Sequence, residues 1–335
     1  DTLDDHLRRL FPHARRVGAV VDRHVHALCP LPPPAPGANG PAVRLVEAPR
    51  GEAAKTREVL SELQDALLDL RREEPVVALG GGALLDVAGF AAATVRRGLP
   101  WIALPTTVLA MADAAVGGKV AVNHPRGKNL LGTFHPPRLV LADVSTLATL
   151  DPRETRAGLA EVYKAGRIGD ADLLARLREG PPTTPRSWID LIGRAVRVKA
   201  RLVEADERDQ GPRRVLNYGH TVGHALERLL GNERLRHGEA VAIGMAFAAR
   251  LARLGGRATG SFVDAQDEDL GRLGLPTALP AGVVPGAVLE ILALDKKRRP
   301  GAPHAFVLPR GEVGVEVVED VGEAEIRAAL EAMAS

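Results

Sequence analysis

The stretch Pro75-Val-Val-Ala-Leu-Gly80-Gly81-Gly82-Ala-Leu-Leu-Asp86-Val-Ala-Gly-Phe-Ala-Ala-Ala-Thr94 decides how the first half of the chain folds. Pro75–Leu79 is a short apolar run and reads as a buried strand. Three glycines follow at once, and Leu84–Val95 then reads as a helix. A strand that turns through glycine into a helix start aims backbone N–H groups and the positive end of the helix dipole at one point. A Cβ there would block close approach, so the geometry suits a phosphate. Spacing alone leaves a plain tight turn equally open. Leu85 stands three residues after Gly82, where the dinucleotide fingerprint has a third glycine or alanine, and Trp101 stands about 20 residues on, where it has an acid.

Outward from this unit the pattern repeats. Arg16–Val21 reads as a strand ending at Asp22, which is placed to meet a ribose hydroxyl. Ala42–Val46 is a second β candidate, Arg57–Arg71 has helical spacing, and Trp101–Leu104 and Arg138–Leu141 are further short strands. Strands separated by helices predict an α/β, doubly wound, Rossmann-like parallel sheet. The proline-rich Pro30–Pro36 reads as a loop or polyproline stretch. Asp151 looks like an N-cap, with Pro152 first in the helix and Glu154 third. From there the chain is mainly helical, with β segments expected only at Ala305–Leu308 and Val313–Val318. The domain boundary is therefore placed near residue 150, giving an α/β domain over 1–150 and a helical domain over 151–335.

Bulk composition narrows the function. Hydrophobic residues make up 45% and charged residues 26%, as in ordinary globular proteins, and aromatics only 3%, so the core must be Ala, Val and Leu. With 44 basic and 42 acidic residues, the charge balance gives no reason to expect nucleic acid or membrane partners. No apolar run reaches the roughly 18 residues of a membrane helix. A single cysteine, Cys29, excludes an intrachain disulfide and favours a reducing, cytoplasmic setting.

Four segments carry chemistry. The first is the glycine turn. The second is Asp113-Ala-Ala-Val-Gly-Gly-Lys119 with Val122-Asn-His-Pro-Arg-Gly-Lys128-Asn129, which reads as a loop whose Lys119, Lys128 and Asn129 could hold a phosphate or carboxylate, or as a solvated basic turn. The third is His220-Thr-Val-Gly-His224, two histidines on one helix face. With His237 and a carboxylate such as Glu161 they could bind a metal; a bare H-x-x-x-H is more often a pair of surface histidines. The fourth is Lys199, centred on the apolar stripe of a helix over Trp188–Glu204, where a lysine needs a partner or a polar cavity.

Taken together, and in order, these segments resemble the 3-dehydroquinate synthase family. The resemblance is carried by Gly51-Glu-Ala-Ala-Lys55, Leu79 through Thr94, Pro105-Thr-Thr107, Asp113 through Asn129, Leu159-Ala-Glu161-Val-Tyr-Lys164, Leu216-Asn217-Tyr-Gly-His220-Thr-Val-Gly-His224-Ala-Leu-Glu, His237-Gly-Glu-Ala-Val and Asp295-Lys-Lys297. It spans most of the chain, from Val17 to about Val313.

The resemblance implies an N-terminal NAD-binding domain, a C-terminal metal domain and an active site in the cleft between them. It implies NAD contacts at Asp22, Glu52, Lys55, Gly81, Gly82, Asp86, Thr106, Thr107 and Lys128. Glu161, His220 and His237 match its ligands for zinc, or cobalt, and His224 then falls on the substrate side. Asp113, Lys119, Asn129, Lys164, Lys199, Arg213 and Asn217, with Lys296 or Lys297, match substrate positions. Arg97 matches an arginine that reaches a neighbouring subunit's phosphate, which implies a homodimer. The implied activity is cyclisation of the sugar phosphate 3-deoxy-D-arabino-heptulosonate 7-phosphate to 3-dehydroquinate with loss of phosphate and no net redox, a step of the shikimate pathway to aromatic amino acids. Asn217 favours this group over relatives acting on neutral sugars, while makers of amino-dehydroquinate share the same features. A metal-dependent polyol dehydrogenase would need no anion-binding Lys119 and Asn129. Three positions depart from the family pattern: Leu85 replaces a usual glycine, His24 a small polar residue, and Pro30–Pro36 a longer segment.

Overall fold

The computed structural model describes residues 2–31, 41–294 and 304–334, and it divides into two compact units, Asp1–Leu150 and Asp151–Ser335. Lys296 and Lys297 and most of the Pro30–Pro36 stretch lie outside the described residues.

The first unit runs α1 (Leu3–Leu10), β1 (Arg16–Asp22), α2 (Arg23–Leu28), β2 (Ala42–Ala48), α3 (Arg57–Leu67), β3 (Val76–Gly80), α4 (Gly82–Thr94), β4 (Trp101–Pro105), β5 (Lys119–His124), β6 (Gly127–Phe134) and β7 (Leu139–Val140). Five strands pair in parallel in the order β2-β1-β3-β4-β7. Both β3 and β4 are buried along their whole length, which is why they read as unbroken apolar runs. Their alternate residues feed two cores. Val76 and Ala78 pack with Leu63, Leu67, Leu84 and Ala88 of α3 and α4, while Val77 and Leu79 pack with Leu7 of α1. Strand order reverses between β1 and β3, the place in a doubly wound sheet where ligands settle beyond the carboxyl ends.

Two expectations change here. The helix from Arg57 stops at Leu67 and not at Arg71, because Arg96 draws the Leu68 and Leu70 carbonyls out of the helical ladder. The segment 113–129 is not a loop: Lys119–His124 and Gly127–Phe134 form an antiparallel hairpin. The hairpin packs on α4, where a Cβ at Gly89 would fall 2.5 Å from Val120. Short alternation broken by glycine and lysine hid it from the sequence pattern.

The second unit runs α5 (Pro152–Gly169), α6 (Ala171–Arg178), α7 (Pro185–Ala205), α8 (His220–Arg234), α9 (His237–Leu254), α10 (Gly260–Arg272), α11 (Pro285–Leu294), β8 (His304–Pro309), β9 (Val315–Val321) and α12 (Glu323–Glu331). Asp151 caps α5 by accepting from Arg153 N at 2.7 Å. Glu154 does not complete a capping box; it pairs with Arg236 at 2.8 Å. The hub is α9, buried on nearly every side from Gly238 to Ala252, with α5, α8, α10 and α12 against it.

Candidate active site

In the first unit the polar residues gather at the carboxyl edge of the sheet. Asp22 ends β1 and caps α2, accepting from His24 N at 2.9 Å and Val25 N at 3.2 Å. Next along the edge, Gly80-Gly81-Gly82 links β3 to α4. A Cβ on Gly80 would lie 3.2 Å from the Asp22 Cβ, and one on Gly81 3.2 Å from the Thr107 methyl, so Asp22, the glycine turn and Thr107 share one crowded spot. Gly81 caps α4 without any side-chain acceptor, leaving the first amides of a thirteen-residue helix for an anion. Beside it, the buried Thr106 hydroxyl has no hydrogen-bond partner among the described residues.

A second cluster lies next to this edge. Lys55 is buried, and its Nζ meets both Asp86 and the Asn129 side chain. Asn123 donates to Glu52 at 2.7 Å and accepts from Asn129 N at 3.1 Å. Asn129 holds φ 56°, a left-handed conformation that asparagine tolerates better than most residues. The hairpin therefore joins Asn129 to Lys55 and Asp86. It separates Lys119 from Lys128: Lys119 pairs with Phe134 at the open end and Lys128 adjoins the turn, about 14 Å away along the ribbon. The two lysines cannot serve one anion as neighbours in a loop would. Asp113 sits in a π-helical turn, Ala110–Ala114, just after the sheet edge. Arg97 is exposed beside Arg96 in a turn where both hold positive φ.

In the second unit three helices converge. Arg153 near the start of α5 grips Glu239 near the start of α9 with two bonds, 2.6 and 2.8 Å. Gly238 lets the two helices touch, since a Cβ there would lie 1.7 Å from the Ala157 carbonyl oxygen. Gly244 does the same for α8 and α9, its Cβ position being 1.8 Å from the Gly219 oxygen. These contacts bring Glu161 of α5, His220 of α8 and His237 of α9 together. Glu161 Oε1 stands 3.7 Å from His220 Nε2 and 3.5 Å from His237 Nε2, and the three ligand atoms lie within 4.8 Å of one another. Lys164 reaches the other oxygen of Glu161 at 2.5 Å.

The electrostatics of this pocket are those of a site built for positive charge. Burial would raise the Glu161 pKa, but Lys164, His237 and His220 together hold it well below the ordinary carboxylate value. His220 is pushed down to about 3 by burial and by Lys164, so its ring is neutral. Its Nδ1 lies 3.1 Å from the Tyr218 carbonyl, which fixes the proton there and leaves Nε2 as a lone-pair donor. Burial would lower His237, yet its bonds to Glu161 and Glu227 raise it to about 10. Glu227 faces Nδ1 and Glu161 faces Nε2, and the Nε2 proton is the one a metal ion would displace. One carboxylate and two imidazoles with an open side suit a catalytic divalent ion.

Glu227 was not singled out in the sequence. It is buried, and its Oε2 lies 3.4 Å from His237 Nδ1. Its position seven residues after His220 on α8 was the available signal. His224, Glu227 and His237 form a second, overlapping group within the same distance limit. That group shares His237 and depends on an exposed His224, so Glu227 fits better as the partner that orients His237. The His224 ring lies 5.3 Å from that of His220. Lys199 is buried on α7, and Arg213 is fully buried, donating to the Glu207 carbonyl at 2.7 Å. Asn217 is exposed, next to a narrow crevice lined by Thr221 and Phe306.

Comparison with known proteins bears on both units. The family profile described as 3-dehydroquinate synthase N-terminal matches residues 45–157, and the one described as 3-dehydroquinate synthase C-terminal matches residues 158–298. A 3-dehydroquinate synthase of Synechococcus sp. is 46% identical over 295 residues, covering 86% of this chain and 80% of that protein. Among solved structures, the 2-epi-5-epi-valiolone synthase of Streptomyces hygroscopicus subsp. jinggangensis, with NAD+ and Zn2+ bound, superposes with a TM-score of 0.84 at 33% identity, covering 95% of this chain and 90% of that one. A 2-deoxy-scyllo-inosose synthase complexed with carbaglucose-6-phosphate, NAD+ and Co2+ gives 0.84 at 25% identity, covering 99% and 95%.

Proposed function

The chain belongs to the 3-dehydroquinate synthase family, and from that membership we propose that it converts 3-deoxy-D-arabino-heptulosonate 7-phosphate to 3-dehydroquinate and phosphate. It is a phosphate-eliminating lyase dependent on NAD and a divalent metal. When bound, NAD supplies reversible oxidation of a substrate alcohol and the ion, zinc or cobalt, polarises the oxygen it carries.

One observation carries the reading: a buried carboxylate, Glu161, facing the Nε2 atoms of His220 and His237. These three would hold the ion, and Tyr218 and Glu227 would keep the two rings turned toward it. The glycine turn at Gly81-Gly82 would take the cofactor pyrophosphate on the α4 amides, with Thr106 and Thr107 beside it. Asp22 and Glu52 would meet ribose hydroxyls, and Lys55 and Asp86, with Lys128, would border the same groove. On the substrate side, Lys119, Lys164, Lys199 and Arg213 would bind carboxylate and phosphate, positioned with Asp113, Asn129, Asn217, His224 and Lys297. Arg97, exposed in its strained turn, would complete a partner's phosphate site in a homodimer. Among the described residues no helix is long and apolar enough to cross a membrane. A cytoplasmic setting, without nucleic acid or membrane partners, accords with the chain's balanced charge.

The test incubates the protein with NAD, zinc or cobalt, and a panel of sugar phosphates with and without a carboxylate. Phosphate should appear from the heptulosonate phosphate in step with 3-dehydroquinate, with no lasting absorbance from NADH. Lasting NADH without phosphate would make the chain a polyol dehydrogenase. Turnover of neutral sugar phosphates alone would move it to another cyclase.

A further inference from the structure

The hairpin of β5 and β6 slips register at one place. Val122 pairs with Leu131 and His124 with Gly127, so Lys128, Asn129 and Leu130 stand opposite the single residue Asn123. A bulge of this kind interrupts the ladder and re-aims the side chains it carries. Its backbone groups then need partners from outside the ladder.

Asn123 supplies them, with three of its polar groups on three different elements. Its backbone N–H turns away from β6 and donates to the Lys55 carbonyl at 2.9 Å. Its side-chain oxygen accepts from N of Asn129, the middle residue of the bulge, at 3.1 Å. Its side-chain nitrogen donates to Glu52 at 2.7 Å. The amide cannot be turned round, because a carboxylate only accepts and a backbone N–H only donates. Lys55 closes the ring, since its Nζ donates to the Asn129 side chain and pairs with Asp86. Asn123 is half-buried, whereas Glu52 and Asn129 are exposed. The two exposed residues are therefore placed by the more enclosed one.

We propose that Asn123 is a positioning residue with two separable ends, holding Glu52 on the cofactor side and Asn129 on the substrate side. The roles of those two residues rest on the synthase reading; the bulge and its bonds do not. The amide nitrogen keeps Glu52 turned toward the cofactor ribose. The amide oxygen keeps Asn129 in its left-handed conformation, φ 56°, and with it the bulge that carries Lys128. Asn123 acts through these residues and touches neither ligand.

Two substitutions take the ends apart. Asn123→Asp keeps an oxygen for Asn129 N and sets a like charge against Glu52. Asn123→Leu keeps the size, removes both side-chain bonds and leaves the backbone bond to Lys55. Three quantities are read on the full chain loaded with zinc: the NAD Kd by fluorescence, amide exchange over 127–131 by mass spectrometry, and KM for the heptulosonate phosphate at saturating NAD. Asn123→Asp raises the NAD Kd about tenfold, the scale of one hydrogen bond to a charged group, and leaves exchange and KM within about twofold. Asn123→Leu speeds exchange over 127–131 and raises KM, each about tenfold. A residue that merely stabilised the hairpin would shift all three quantities alike in both variants, in step with their melting temperatures. That pattern overturns the proposal, as does an unchanged NAD Kd in Asn123→Asp or native exchange in Asn123→Leu. The exchange measurement needs no turnover. A native chain that released no phosphate would refute the synthase reading, and the hold on the bulge would still be decided by Asn123→Leu.

Discussion

The two units build their polar sites by opposite means. In Asp1–Leu150 the glycine turn, the open amides of α4 and the ends of β1 and β4 present mostly backbone at a sheet edge. Side chains such as Glu52, Lys128 and Asn129 are exposed. In Asp151–Ser335 the decisive groups are charges inside a helix bundle, with Glu161 and Lys164 at 2% and 3% exposure. A site made of backbone geometry loses little when one side chain goes. A site made of buried charges that balance one another loses its purpose, because each removal leaves the others uncompensated.

The hardest test of that contrast is Glu161→Gln. The amide keeps the shape and removes the charge that draws both imidazoles. Bound zinc should fall from stoichiometric to negligible by elemental analysis, and kcat/KM by ~10^3-fold or more, the scale of a lost Lewis acid. NAD affinity, measured by fluorescence, should stay within about twofold. Full zinc content in this variant would remove Glu161 from the ligand set and with it the claim that the second unit is the fragile one.

Glu227→Gln grades the same pocket one layer out. Its carboxylate lies 3.4 Å from His237 Nδ1 and is not itself in the proposed ligand set. Loss of such an orienting partner weakens metal binding by about 10- to 100-fold while leaving a site that excess zinc refills. Activity should recover on titration with zinc. A variant that binds zinc as tightly as the parent would show that His237 is held by packing alone.

Legibility in the sequence followed the same division. The sheet could be read because β3 and β4 are buried on both faces and show as pure apolar runs, whereas the hairpin 119–134 has half its residues in solvent. Local cues gave the Asp151 cap and the unusual lysine on the α7 stripe. The proposed metal set is different. The residues themselves offer His220, His224, His237 and Glu161 as candidate ligands, and family resemblance is needed to move His224 to the substrate side. Their meeting depends on Gly238 resting on Ala157 and Gly244 on Gly219, contacts between residues far apart in the chain that no local period encodes. Asn123 and Glu227 escaped for the same reason, since each acts through a residue placed by tertiary packing.

The smallest effect should come from the first unit. Among its described residues Lys55 is a buried cation beside the proposed cofactor groove, tied to Asp86 and Asn129. Lys55→Met keeps the length and apolar stem but removes the charge. Asp86 retains partial access to water, so the unpaired carboxylate can be solvated and the fold should persist. The α4 amides and the glycine turn remain intact, so NAD should still bind, with a Kd raised about tenfold, the size of one charge-assisted contact. Zinc content should not change, and saturating NAD should restore most of kcat. If Lys55→Met instead abolished NAD binding altogether, the sheet edge would rest on a single side chain as heavily as the bundle rests on Glu161, and the difference drawn between the two units would fail.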